Sequence, residues 1–125
     1  MTTLLDIVAI HKQNTISNHT KLHFISAMNR YQQFSGTIAI PLECSDDRYD
    51  FHMVDWNGDG SPDLVIIIKS GTGSGMTEIH VLSGASGFQE YILHTSTGLG
   101  PTNQDWEFGL ADWEGDGKLD LFPLG

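Results

Sequence analysis

The chain has 125 residues, of which 39% are hydrophobic, so it is long enough to bury a core and too apolar to be disordered. Sixteen acidic residues against six Lys and Arg give a formal net charge of −10, which argues against nucleic acid or an anionic membrane surface as a partner. The single cysteine excludes an intrachain disulfide, and no apolar run approaches the roughly 18 residues needed to span a membrane.

The chain reads as short β-strands joined by turns rich in glycine and serine. After an apolar run at residues 7–10, the clearest strands are predicted at 63–69, 77–82, 88–95 and 106–111. A glycine-rich loop at 70–75, a short hairpin turn at 83–87 and a polar loop at 96–104 separate them. No segment has the pattern of a helix, so the class is predicted as all-β.

A loop rich in oxygen ligands precedes the strand at 63–69. Residues 55–64 read DWNGDGSPDL, with side-chain oxygens at loop positions 1, 3, 5 and 9 and paired glycines that let the backbone turn sharply. Such oxygens suit Ca²⁺, which takes about 6–8 oxygen ligands. One alternative is a solvated turn, for which Asn, Asp and Gly are the usual residues. The other is an EF-hand, but its bidentate Glu at position 12 is Ile66 here, and a β-branched strand follows the loop in place of a helix.

The same loop spacing returns at residues 112–121, which read DWEGDGKLDL. Sliding the chain by 57 residues without a gap superposes the two loops and also aligns Lys12 with Lys69, Thr20 with Thr77 and His23 with His80. This register indicates duplication, and repeats of this length are typical of propellers and solenoids. The prediction is one domain over 1–125 of β-propeller blades. It has two four-stranded repeats of 57 residues, at about 5–61 and 62–118, and a surplus strand at 119–125.

Residues 108–121, FGLADWEGDGKLDL, resemble the FG-GAP/VCBS repeat, the unit of integrin-α-type β-propellers. Residues 51–64 keep the loop but have His52 where that repeat has glycine. The resemblance implies that each loop joins the fourth strand of one blade to the first strand of the next and binds Ca²⁺. The ligands that it implies are Asp55, Asn57, Asp59, the Ser61 carbonyl and Asp63 in one loop, and Asp112, Glu114, Asp116, the Lys118 carbonyl and Asp120 in the other. The longer side chain of Glu114 and the ammonium of Lys118 predict that the second site is the weaker one.

Other candidate sites carry less specific signals. The glycine-rich loop at 70–75 lacks the Gly-Lys-Ser/Thr ending and the helix of a phosphate-binding loop, so it is predicted to be a strand connector. His23 and His80 occupy the same repeat position, but no Cys or carboxylate at ligand spacing accompanies them. Ordinary surface or core histidines are therefore favoured over a zinc site.

The aromatic residues give the remaining candidate for ligand binding. Trp56 and Trp113 lie in the loops and are predicted to pack in the core or between blades. Tyr49 and Trp106 open the last strand of each repeat and are predicted to form an exposed aromatic platform. No Ser-His-Asp or Cys-His arrangement is found, and paired carboxylates are lacking outside the two loops, so the chain is predicted not to be an enzyme.

About two repeats are too few to bury the flanks of their blades, because fewer than three rarely stand alone. The initial Met and the lack of a flanking linker favour self-assembly, with a trimer giving about six blades, over a piece of a longer propeller. The resemblance implies a recognition module, most specifically a lectin, because identical pockets around a ring gain avidity. The alternatives are an integrin-like protein-adhesion or scaffold module and an accessory fragment of a secreted carbohydrate-active enzyme. The calcium loops favour an extracellular location, although residues 1–10 do not have the pattern of a signal peptide.

Overall fold

A computed structural model shows β-strands and no α-helix among the described residues, which confirms the predicted all-β class. The structure describes residues 7–13, 18–25, 30, 32, 34–43, 46, 48–103, 105–111 and 120–124, with the backbone alone at 7, 34, 35, 111, 120 and 122–124. Within these ranges, no helix has the length and apolar character needed to cross a membrane. The chain divides into two compact units, residues 1–46 and residues 47–125.

The first unit contains one antiparallel sheet of three described strands in the order β1-β2-β3. The strands are β1 (Ile7–His11), β2 (His19–Ile25) and β3 (Phe34–Glu43). Leu22 of β2 and Ile40 of β3 are buried. The buried hydroxyl of Thr20 donates to the carbonyl of Glu43 at 2.9 Å, so the end of the sheet is tied by a satisfied polar contact.

The second unit contains a four-stranded antiparallel sheet, β4-β5-β6-β7, and a two-stranded one, β8-β9. The strands are β4 (Tyr49–Val54), β5 (Asp63–Ile68), β6 (Glu78–Leu82), β7 (Tyr91–Ser96), β8 (Glu107–Ala111) and β9 (Asp120–Leu124). Alternation along β5 and β6 directs one set of apolar side chains to the same face of the larger sheet, where Phe108 of β8 packs on them. This cluster consists of Val65, Ile67, Ile79, Val81 and Phe108.

The strand pairs of the two units are related by the same shift that relates their sequences. Ile10 pairs with Leu22 in the first unit, and Ile67 pairs with Ile79 in the second, 57 residues further on. The irregularity between β2 and β3 next to Ile25 recurs between β6 and β7 next to Leu82. The two copies therefore share hydrogen-bonding register as well as sequence, while the predicted single domain and its repeat boundaries stay predictions.

The first predicted calcium loop lies inside one sheet and does not join two. It connects β4 to β5, which pair directly from Val54↔Asp63 to Tyr49↔Ile68. The expectation that this loop links successive blades is therefore wrong, and the loop is a β-hairpin connection. The strand at Glu107–Ala111, predicted to complete the sheet of β5, β6 and β7, pairs instead with β9. Sequence order predicted the strands but did not specify which neighbours share a sheet.

The described strands form open sheets, and a closed propeller is not found among them. The ring that assembly would complete stays a prediction. One strand boundary also differs, because residues 83–90 form a turn and β7 starts only at Tyr91. That turn contains a 3₁₀ segment at Gly84–Ser86 and is closed by the Ser83 N–H donating to the Glu90 carbonyl at 2.8 Å. Phe88, predicted to begin the strand, has a φ of 63° and is buried.

Candidate metal centre

Three carboxylates of the β4–β5 loop converge on one point. Asp55, Asp59 and Asp63 each present an oxygen within 4.8 Å of the oxygens of the other two. Ligands on opposite sides of a Ca²⁺ ion at about 2.3–2.6 Å would lie about 4.6–5.2 Å apart, so these oxygens fit within a single coordination shell. The donor set is all oxygen and carries three negative charges, which suits a hard divalent cation.

The backbone of the loop curls around Asp55. Gly58 and Gly60 have φ values of 75° and 87°, in the left-handed region that glycine adopts without steric cost. This conformation lets the N–H groups of Gly58, Asp59 and Gly60 donate to the Asp55 carboxylate at 2.9, 3.1 and 2.9 Å. A carboxylate has about four lone-pair sites, so these bonds fix Asp55 and leave about one site for a cation.

Asp63 has a structural duty that Asp59 lacks. Its side chain is fully buried and accepts the Trp56 N–H at 2.9 Å on one oxygen and the Gly84 N–H at 2.8 Å on the other. It therefore ties the hairpin loop to the turn that follows β6. Asp59 is exposed and accepts the Ser61 N–H at 2.9 Å.

The other implied ligands are placed less completely. Asn57 is exposed, and its side-chain oxygen accepts the Asp59 N–H at 3.4 Å, while Ser61 is half-buried in the same loop. In the second loop, Asp112, Glu114, Asp116 and Lys118 lie outside the described residues, and Asp120 is described only by its backbone at the start of β9. Calcium binding at either loop, and the weaker second site, stay predictions.

A cleft of about 270 Å³ separates two strands that occupy the same repeat position. It is lined by Asp50, Phe51 and His52 of β4 and by Glu107 and Phe108 of β8. The buried ammonium of Lys69 lies 3.1 Å from Asp50 Oδ2 and holds that carboxylate in place. The cleft combines carboxylates with the half-buried aromatic Phe51, and its volume lies near the lower end of small-molecule sites, which are about 300–1,000 Å³.

The predicted aromatic platform is only partly available. Tyr49 and Trp106 are both half-buried, and Trp106 packs against the apolar cluster of the second unit. The Tyr49 ring stacks on Phe51 with a centroid separation of 6.4 Å. Their role in ligand binding stays a prediction. Trp56 also packs against the apolar cluster, which confirms its predicted packing role, and Trp113 lies outside the described residues.

Sequence reasoning missed a polar cluster on β6 and β7. His80 Nε2 lies 2.9 Å from Glu78 Oε1, and the ring of His80 meets that of His94 on the neighbouring strand. A hydrogen bond from Ser74, and to a smaller extent one from His80, holds the pKa of Glu78 below its usual value. His94 is 14 residues from His80, and the first unit has Thr37 at the position equivalent to His94. The repeat pattern therefore did not indicate a pair of histidines. Aligning the two strands as a hairpin could have paired the two histidines.

One comparison with known proteins gives a match. A family model described as an FG-GAP-like repeat matches residues 55–122, which is more than half of the chain and begins at the first residue of the β4–β5 loop. Comparison with curated proteins gives no match, and neither does comparison with solved structures.

Proposed function

Since the chain belongs to the FG-GAP-like repeat family, we propose that it is a calcium-stabilised, non-enzymatic recognition module that binds carbohydrate. The observation that carries the calcium part is the convergence of Asp55, Asp59 and Asp63 within 4.8 Å of one another. Their donor chemistry and spacing fit one Ca²⁺ ion. The second loop, with its similar acidic spacing, would hold another ion.

Calcium would act on the fold through charge. Without a cation, three carboxylates crowd one hairpin loop and repel one another, and a bound ion removes that repulsion. Binding to the folded state alone adds about 2.7 kcal/mol per site when free calcium is about 100 times Kd. The stabilised unit is the β4–β5 hairpin, which Asp63 ties to the turn after β6.

Thermal unfolding in calcium and in EDTA tests the calcium part. EDTA should lower the Tm of the parent chain. Asp59→Asn should remove most of the response at this loop, because it removes the charge of a converging carboxylate whose one described hydrogen bond is the local one from the Ser61 N–H. Asp105→Asn, a change at an exposed acid outside the loop, is the matched control and should keep the full response. A Tm that is the same in calcium and in EDTA would remove the calcium proposal.

The carbohydrate part rests on the cleft between β4 and β8. The carboxylates of Asp50 and Glu107 can accept hydrogen bonds from sugar hydroxyls, and the half-buried Phe51 offers an apolar surface for the C–H face of a sugar. Tyr49 and Trp106 remain candidates for additional stacking. A single shallow site of this size would bind weakly, so useful affinity requires several copies of it in one assembly.

A glycan array tests this part and separates it from the alternatives. Binding of a defined sugar that Glu107→Gln weakens, with an unchanged calcium response, would support a lectin. No binding to any glycan, with the calcium response intact, would leave the protein-adhesion or scaffold module as the function. An accessory role in a secreted carbohydrate-active enzyme would show instead as binding to a polysaccharide substrate.

We also propose that copies of the chain associate. The two-stranded sheet of β8 and β9 repeats the register of β4 and β5, so it has the strands that would begin a further four-stranded sheet. Assembly would repeat the cleft and supply the avidity that weak carbohydrate sites need.

A further inference from the structure

Two histidines face each other across β6 and β7. His80 and His94 are directly paired in the strand register, and their Nδ1 atoms lie 2.5 Å apart. The ring of His94 is exposed, and the side chain of His80 is 17% exposed. The pair is therefore accessible to a small cation from solvent.

A carboxylate fixes the orientation of one of these rings. Glu78 Oε1 lies 2.9 Å from His80 Nε2, and Glu78 Oε2 accepts a hydrogen bond from the Ser74 hydroxyl at 2.6 Å. At this distance the Glu78 carboxylate accepts a hydrogen bond from His80 Nε2–H. That tautomer leaves His80 Nδ1 with a lone pair that faces His94 Nδ1.

We propose that His80 and His94 bind a divalent transition-metal ion such as Zn²⁺ through their Nδ1 atoms, with Glu78 orienting His80 from behind. Imidazole nitrogen suits Zn²⁺ and related ions, and a metal-bound histidine usually donates its other N–H to a carboxylate. Tetrahedral zinc with Zn–N distances of about 2.0–2.1 Å separates two nitrogens by about 3.3 Å. A small rotation of the exposed His94 ring provides that separation, and water completes the coordination shell.

This site is chemically distinct from the calcium loop. The loop offers carboxylate oxygens, which suit a hard cation, whereas the histidine pair offers nitrogens to a softer one. The two sites can therefore be examined separately by saturating the loop with calcium before zinc is added.

The first unit supplies a natural comparison for the histidine pair. His23 occupies the position of His80 and pairs in the same register with Thr37, whose hydroxyl lies 3.0 Å from His23 Nδ1. The fold thus already contains a His–Thr pair at this place in a sheet. His94→Thr reproduces that pair in the second unit, so it removes one nitrogen ligand and leaves a cross-strand pair that the fold already accommodates.

Calorimetric titration of the calcium-saturated chain with Zn²⁺ tests the proposal. The parent chain should bind about one zinc ion at this site. His94→Thr should weaken that binding more than tenfold, and Glu78→Gln should weaken it about 10–100-fold, the usual range for such supporting partners. Zinc should also shift the imidazole NMR signals of His80 and His94 together.

His23→Ala is the control, because His11 and His23 are another close pair, with ring centroids 6.0 Å apart. It should leave the zinc affinity unchanged. Thermal unfolding in calcium should show that His94→Thr remains folded. Equal zinc affinity in the parent chain and His94→Thr, or loss of binding in His23→Ala instead, would overturn the proposal.

Discussion

At the scale of single residues, two acids of the same loop have different duties. Asp59 is exposed and its carboxylate accepts a local backbone N–H from Ser61, so its role in the calcium proposal would be chiefly to attract the cation. Asp63 is fully buried and accepts backbone N–H groups from Trp56 and from Gly84, which is 21 residues away. Asp63, a proposed calcium ligand, therefore also makes contacts within the fold that do not require calcium.

This difference predicts that two conservative variants respond differently to the removal of calcium. Asp63→Asn should lower the free energy of unfolding by about 3 kcal/mol in EDTA, because it weakens two charge-assisted hydrogen bonds and leaves one N–H group without a good acceptor. In calcium the loss should be larger, because the variant also removes the charge of a converging carboxylate. Asp59→Asn should change little in EDTA and lose only the calcium-dependent part. Urea denaturation of both variants in both buffers measures this. Full parent stability of Asp63→Asn in EDTA would contradict the structural role.

Residue spacing predicted which acids meet but not everything they contact. The alternation of oxygen-bearing side chains with glycines was sufficient to place Asp55, Asp59 and Asp63 around one point, because the loop is short and its turn is local. The bond from Asp63 to Gly84 and the pairing of His80 with His94 depend on strand register, which residue spacing within one loop does not contain.

At the scale of elements, the hairpin loop and the turn after β6 pack backbone against backbone. A Cβ at Gly84 would overlap the carbonyl oxygen of Pro62 and approach the ring of Phe88 to 3.5 Å. Together with the Asp63 bond to the Gly84 N–H, this contact holds the β4–β5 loop against the turn after β6. The requirement for glycine here comes from close approach and not from its backbone angles.

Gly84→Ala is therefore expected to destabilise the fold. Either the hairpin or the turn must move, at a cost of about 1–3 kcal/mol or more. Gly73→Ala is the matched control, because a Cβ there meets no atom within 4 Å, and its effect should stay within about 0.5 kcal/mol. Denaturant midpoints of the two variants and the parent chain make the comparison. A Gly84→Ala variant as stable as Gly73→Ala would show that the turn does not press on Pro62.

The strands themselves were largely predictable, because β-branched runs bounded by glycine, serine and asparagine leave few alternatives. The main error concerned partnership. The sequence of residues 55–62 is compatible both with a hairpin loop and with a connection between two blades. The pairing of Val54 with Asp63 shows that it is a hairpin loop. The boundary error at Phe88 has a local cause, since a positive φ at a buried aromatic residue is unusual and is imposed by the surrounding turn.

At the scale of the whole molecule, the three described sheets contain different parts of the same four-stranded repeat. The sheet β1-β2-β3 corresponds to β5-β6-β7, and among its described strands none corresponds to β4. The sheet β8-β9 corresponds to β4-β5. In the assembly that we propose, a strand such as β8 from a second copy would pair with β1. The pairing of β4 with β5 specifies the register expected between β8 of one copy and β1 of another. Asp50 pairs with Ile67, and the 57-residue shift makes Glu107 and Ile10 the equivalent pair.

Self-assembly through these strands is open to a direct test. Light scattering at micromolar concentration should give the mass of an oligomer, with a trimer as the favoured state. In a Cys44→Ser background, chains carrying Glu107→Cys should form a disulfide with separate chains carrying Ile10→Cys when the two are mixed. Chains with His11→Cys in place of Ile10→Cys are the control and should cross-link poorly, because a shift of one residue directs the side chain to the opposite face of the strand. A monomeric mass together with equal, background-level cross-linking in both mixtures would contradict assembly by strand completion. An oligomeric mass with preferential cross-linking of the His11 control would retain assembly but reject the register that the repeat predicts.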